Sequence, residues 1–187
     1  MFDGRINLTK KELFPLTQLK APVYFIEGNH DRYTGVTTIK SYLREIGVNV
    51  LENEMTNWGE LQIIGLNHIR ADNQTFNMHA AGNSSTIKGT LEKLPIDKNK
   101  PTVLLHHSPD GIKYASNNGV DLYLAGHTHA GQLFPIKYIA KLLFAYNKGL
   151  HDFKGTKIFV SQGVGTFGPP MRVGTKSEIA VIKLKPE

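Results

Sequence analysis

Five histidines and one asparagine stand just behind short apolar runs. They are Asn29 and His30 in Gly28-Asn29-His30-Asp31, the pair His106-His107, and His127 and His129 in Gly126-His127-Thr128-His129. Neutral imidazole is the commonest metal ligand near pH 7, and an Asn carbonyl oxygen is a hard donor that suits a divalent cation. A set rich in His nitrogen with some oxygen fits Zn, Fe, Mn or Ni. At a strand end a His-x-His pair can point both imidazoles one way; once the chain has left the strand they can splay toward two neighbouring ions. Gly126 and Gly131 flank the pair and let the backbone bend around it. His68, His79 and His151 stand alone in loop-like stretches and read as ordinary hydrogen-bonded or surface histidines.

The elements that must position these residues are short strands. Val23–Ile26, Val103–Leu105 and Asp121–Ala125 are apolar runs bounded by turn signals, which read as buried strands of an α/β sheet. In such sheets, polar residues at the strand ends converge at one edge, where ligands bind. Thr34–Ile46 spaces Val36, Ile39, Leu43 and Ile46 as a helix, with Gly47 as its C-terminal cap. Val48–Leu51 and Glu60–Leu66 read as strands of a hairpin turning at Asn57-Trp58-Gly59. Lys157–Val160 and Glu178–Leu184 read as further strands. Short helices are expected at 87–94, 110–116 and 135–146, and loops at 67–85 and 163–170. In the segment 135–146, the apolar Ile136, Ile139, Leu142, Leu143 and Phe144 are expected to pack on the core, although a lipid-like group is a second use for them.

At 187 residues, with no internal repeat or linker, the chain reads as a single domain over 1–187. It has no Cys, which excludes disulfides and thiolate ligands. No apolar run approaches the ~20 residues of a membrane span. The net charge of +6 comes from scattered Lys and Arg, without a basic stripe interleaved with aromatics, so no nucleic-acid partner is expected.

Taken together, the three strings resemble the calcineurin-like metallophosphoesterase superfamily. Gly126-His127-Thr128-His129-Ala130-Gly131-Gln132, Ser161-Gln162-Gly163-Val164-Gly165-Thr166 and Pro170-Met171-Arg172 are similar to a bacterial branch related to the YkuE-like phosphoesterases. The resemblance implies a metallo-dependent phosphatase fold: a layered α/β sandwich flanked by helices. It implies hydrolysis of phosphomono- or diester bonds by metal-activated hydroxide, with two divalent ions in the family. Asn29, His107 and His127 match ligands of one ion and His129 a ligand of the other. His107 is matched rather than His106 because His107-Ser108-Pro109 fits the family's His-x-Pro. His30 matches the residue that protonates the leaving oxygen, and Asp31 its hydrogen-bond partner. Arg172 is a candidate to hold the substrate, a phosphorylated small molecule or lipid. A soluble protein of a bacterial cytoplasm is expected, with a membrane anchor in longer relatives.

The family's opening Asp-x-His and the Gly-Asp of its second motif have no counterpart here; Phe2-Asp3-Gly4 matches only that motif's tail. The chain therefore reads as truncated at its N-terminus and missing strands there. Its four matched ligands are all neutral. This predicts one ion, weakly held by Asn29, His107 and His127, and much reduced hydrolysis. The alternative is an impaired fragment or a non-catalytic binder of phosphate ligands. The missing strands also predict self-association through an exposed sheet edge.

Overall fold

The computed structural model describes residues 9–33, 35–75 and 85–185. Its centre is a six-stranded mixed sheet in the order β3-β4-β5-β6-β8-β7. Strands β4 (Leu61–Gly65), β5 (Thr102–Leu105), β6 (Leu122–Ala125) and β8 (Thr156–Val160) run parallel. The edge strands β3 (Glu54–Trp58) and β7 (Gly149–Phe153) run antiparallel to their neighbours. A separate two-stranded parallel sheet joins β1 (Tyr24–Phe25) to β2 (Asn49–Val50).

Alternation along the strands divides the large sheet's two faces. Ile64, Leu104, Tyr123 and Ile158 point to one side and are fully buried. There they meet Ile87 and Leu91 of α4 (Ile87–Leu91) and Ile112 and Ala115 of α5 (Ile112–Asn117). The opposite face carries Ile63, Leu105 and Leu124. With Tyr24, Ile182 and Leu184 they line an apolar trough of about 320 Å³ between the sheet and β1. The small sheet closes on the large one at Gly65, where a Cβ would collide with the Leu51 side chain and fall 3.0 Å from the Ile26 side chain. A second core gathers Leu13 of α1 (Lys10–Leu13), Ile39 and Leu43 of α3 (Val36–Glu45), and Val48 and Val50. The mixed α/β architecture with a multi-strand sheet flanked by helices is the one expected.

Several boundaries differ from expectation. The hairpin pairs Glu54–Trp58, not Val48–Leu51, with β4; Trp58 sits opposite Leu61, so Gly59-Glu60 is the turn. Val48–Leu51 instead serves the small sheet, because its apolar residues cover α3. The residues 178–184 form no strand, and Ile179 and Val181 are 84% and 94% exposed. Alternating apolar residues favour a strand only where a neighbour offers free N–H and C=O groups; this segment packs Ile182 and Leu184 near the sheet, but among the described residues it pairs with no strand. Strand β7 was missed because Gly149-Leu150-His151-Asp152 looks like a polar loop; its pairing with β8 overrides that composition. The opening motif at Asp3, His79 and much of the 67–85 loop lie outside the described residues.

Candidate metal centre

The carboxyl ends of the four parallel strands open at one edge of the sheet, and each leads into a polar segment. Beyond β4 lies His68, beyond β5 His106 and His107, beyond β6 His127 and His129, and beyond β8 Ser161-Gln162-Gly163. Helix α2 (Asn29–Tyr33) brings Asn29 there from the small sheet. The turn into α2 is held by Asp31, whose buried carboxylate accepts the Gly28 N–H at 2.7 Å.

Three side chains from distant parts of the sequence meet at this edge. His107 Nε2 lies 2.8 Å from Asn29 Oδ1 and 3.1 Å from His127 Nδ1. Two ligands of one ion at metal–nitrogen distances of about 2.1 Å stand roughly 3 Å apart, so this spacing fits a shared cation. Burial, followed by the neighbouring His127, His68 and His106, holds the His107 imidazole well below its ordinary pKa. It is therefore neutral at pH 7, with a lone pair to give. Among the described residues no three His, Asp or Glu side chains form a ready-made metal cage. The third donor of this cluster is the Asn29 amide.

The Gly28 position explains how close the two segments come. A Cβ there would fall 2.8 Å from the His107 ring. That is tighter than any real contact, so glycine is required for the imidazole to reach Asn29. At the other side, β6 ends before the His-x-His pair. His127, His129 and Ala130 take left-handed φ values of 69°, 49° and 53°. These sparsely populated conformations cost of order 1 kcal/mol each and mark a functional turn. The bend expected at Gly126 and Gly131 is made at Gly131 and by the histidines themselves; Gly126 has no positive φ.

Because the pair has left the strand, its imidazoles part. His127 faces His107, while His129 faces Arg172, whose Nη2 donates to His129 Nδ1 at 3.3 Å. Burial, and then the Arg172 charge, push the His129 pKa down to about 4. The same guanidinium donates to the carbonyls of Gln162 at 2.6 Å, Gly165 at 2.6 Å and His129 at 3.2 Å. Arg172 thus ties the 162–165 turn to the His loop. These contacts give Arg172 a loop-clamping role through its two terminal nitrogens, and its buried Nε–H is not among the donors they use. Gln132 reinforces the tie: its side chain accepts the Phe167 N–H at 2.5 Å and donates to the Phe167 carbonyl at 2.7 Å. Phe167 is thereby set edge-on to His30, with ring centres 5.4 Å apart.

His106 turns the other way. It is buried, with Nδ1 2.7 Å from the Ser108 carbonyl and 3.0 Å from the Tyr123 hydroxyl. His68 is the residue that sequence reasoning missed. Far from being a lone loop histidine, it is fully buried, stacked on His106 at 5.7 Å and edge-on to His107 at 5.2 Å. Its place two residues past the run Ile63–Leu66 repeats the pattern of the other site histidines, and that signal was available. Behind it, Arg32 Nη2 donates to the His68 carbonyl at 2.7 Å and to Glu27 at 2.8 Å. Lys40, buried on α3, donates to the other Glu27 oxygen at 2.6 Å. This ion cluster fixes the α2 turn against the β4 loop.

Neutral His and Asn donors gathered at one sheet edge are the donor types that suit a divalent cation. Residues 2–131 match the family model of the calcineurin-like phosphoesterases. The chain belongs to that family. It is 35% identical over its whole length to an uncharacterized metallophosphoesterase of Helicobacter pylori, covering 50% of that protein. It is 31% identical over 98% of its length to a bovine transmembrane protein with metallophosphoesterase domain, covering 44% of it. With the uncharacterized metallophosphoesterase YkuE of Bacillus subtilis it shares 28% identity over 91% of its length and 59% of that protein. The chain thus spans about half the length of these relatives. No solved structure matches it.

Proposed function

We propose that this chain carries the hydrolytic site of a metal-dependent phosphoesterase acting on phosphomono- or phosphodiesters. The observation that supports it is the meeting of Asn29 Oδ1, His107 Nε2 and His127 Nδ1 from three segments far apart in sequence. In this reading they hold one divalent ion (Mn, Zn, Fe or Ni), and His129 faces a second. An ion held there supplies Lewis acidity toward phosphate and a nucleophile at neutral pH.

The chain's own residues do the rest. His30, on the first turn of α2 beside Asn29, protonates the departing oxygen, and Asp31 orients His30. Tyr33 and Phe167 stand edge-on to the His30 ring at 5.9 and 5.4 Å and flank it on two sides. Arg172 and Gln132 keep the 161–168 segment in place as the wall of the site. The substrate is a phosphorylated small molecule or lipid. By analogy with the relative named a transmembrane protein, the site works near a membrane; among the described residues no helix is long and apolar enough to cross one.

A second reading rests on the donor set. Asn29, His107, His127 and His129 are all neutral, which favours one weakly held ion and a phosphate-ligand binder with little turnover. Two measurements on the same protein separate the readings: Mn²⁺ binding by calorimetry, and hydrolysis of p-nitrophenyl phosphate and its bis ester with added Mn²⁺. Binding and hydrolysis, both lost in His127→Ala, support the phosphoesterase. Binding without hydrolysis supports the second reading. Mn²⁺ affinity untouched by His127→Ala sinks both.

A further inference from the structure

Helix α6 (Ile136–Leu143) carries described side chains that face both the domain and the solvent. Ala140 is buried against the domain, as on any surface helix. The outward face should be polar. Instead Tyr138, Ile139 and Leu142, which share one face at the i, i+1, i+4 spacing, are 53%, 54% and 87% exposed. The patch extends beyond the helix. The Phe134 N–H donates to the Val173 carbonyl at 2.9 Å, which joins the helix's approach to the 171–173 segment. Phe134, Met171 and Val173 are themselves 58%, 55% and 47% exposed. A contiguous exposed apolar surface of this kind marks an interaction site.

The charged residues near the patch in sequence favour one kind of occupant. No Asp or Glu occurs between Asp121 and Asp152, where the sequence places Lys137, Lys141 and Lys148. None occurs from Gly163 to Ser177, where Arg172 and Lys176 stand. Apolar side chains on a short helix whose charged neighbours along the chain are cations, with Glu178 beside Arg172 as its nearest acid in sequence, are what an anionic lipid surface recognises. A second copy of this chain fits less well, because a two-fold contact across α6 would bring the same lysines together. The patch also continues into the site, since Phe144 at the end of α6 stands edge-on to His127 with ring centres 5.9 Å apart.

We propose that the face formed by α6 and the 171–173 segment docks on an anionic lipid bilayer, with Leu142 and Ile139 as its anchors. This sets the edge of the sheet that carries the histidines beside the lipid surface. The docking is independent of the metal chemistry.

The test is co-sedimentation of the purified chain with vesicles of phosphatidylcholine alone, or of phosphatidylcholine and phosphatidylglycerol in equal parts. Wild type is expected to bind the mixed vesicles in preference, and salt to weaken that binding. Leu142→Glu should lower binding about ten-fold or more, the effect of losing one buried Leu side chain. Ile139→Ser gives a second, milder variant, and unchanged thermal unfolding shows that both fold. Ile179→Glu, equally exposed but outside the patch, is expected to bind as wild type. His127→Ala is also expected to bind as wild type, so failure of the phosphoesterase reading and failure of the docking show up separately. Equal binding to both vesicle types overturns the proposal, as does binding untouched by Leu142→Glu. Failure to bind vesicles overturns it too, and self-association abolished by Leu142→Glu would then identify a second copy as the occupant.

Discussion

At the scale of single residues, burial keeps three imidazoles of the site, His106, His107 and His129, neutral. Burial pushes down the pKa values of His106 and His107, and pushes that of His129 to about 4. In the unfolded chain the same rings titrate near 6.5. Between those values the unfolded state binds protons that the folded state refuses, so stability rises with pH across the window. We expect the metal-free protein to keep full stability above about pH 6.5 and to lose it steadily as pH falls toward 4. Thermal unfolding in a chelating buffer, followed from pH 7 to 5 to stay above most carboxylate titration, checks this. A flat melting temperature over that range contradicts it. Arg172 shows how far a residue's surroundings decide its role. As a sequence feature it is a cation behind a Pro-Pro turn; in the fold its guanidinium is a clamp on the carbonyls of Gln162, Gly165 and His129.

At the scale of elements, the decisive contact lies between the α2 turn and the end of β5. The Glu27–Arg32–Lys40 ion cluster holds that turn from behind, and Gly28 lets His107 approach from in front. Gly28→Ala therefore acts on the site without touching a donor atom. Its methyl group would have to displace the His107 ring, and the Asn29–His107 distance would open. Mn²⁺ affinity should fall about ten-fold or more, the usual cost of disturbing a ligand's support. Calorimetry against wild type, with circular dichroism to confirm the fold, reads it; unchanged affinity would show that the ring has another place to go.

At the scale of the whole molecule, the large sheet is covered unequally. Helices α4 and α5 bury one face, whereas the other keeps an apolar trough of about 320 Å³. Beside it run residues 178–184, with alternating apolar side chains and no strand partner among the described residues. Unpaired strand-like backbone next to an apolar surface is a template for another chain. We expect the protein to self-associate as its concentration rises, and Val181→Lys, at a position 94% exposed, to reduce this without loss of fold. Light scattering over a concentration series decides; a monomer at every concentration would falsify the expectation. Leu142→Glu, on the lipid-docking face, should leave this association alone.

The sequence by itself determined the donor types and the strand ends that carry them. A short apolar run followed by Gly-Asn-His, His-His or Gly-His-x-His restricts both the local backbone and the chemistry available to it. It did not determine which side chains meet. His68 joined the cluster, His106 turned away, and His127 and His129 parted, because those outcomes depend on strand order and on left-handed backbone in the His loop. The same holds for α6. Its apolar residues repeat at helical spacing whether they face a core or the solvent, and the tertiary structure left Ile139 and Leu142 outside. Periodicity is local and survives in a single sequence; burial is set by which elements pack together, and that information is spread over the whole chain.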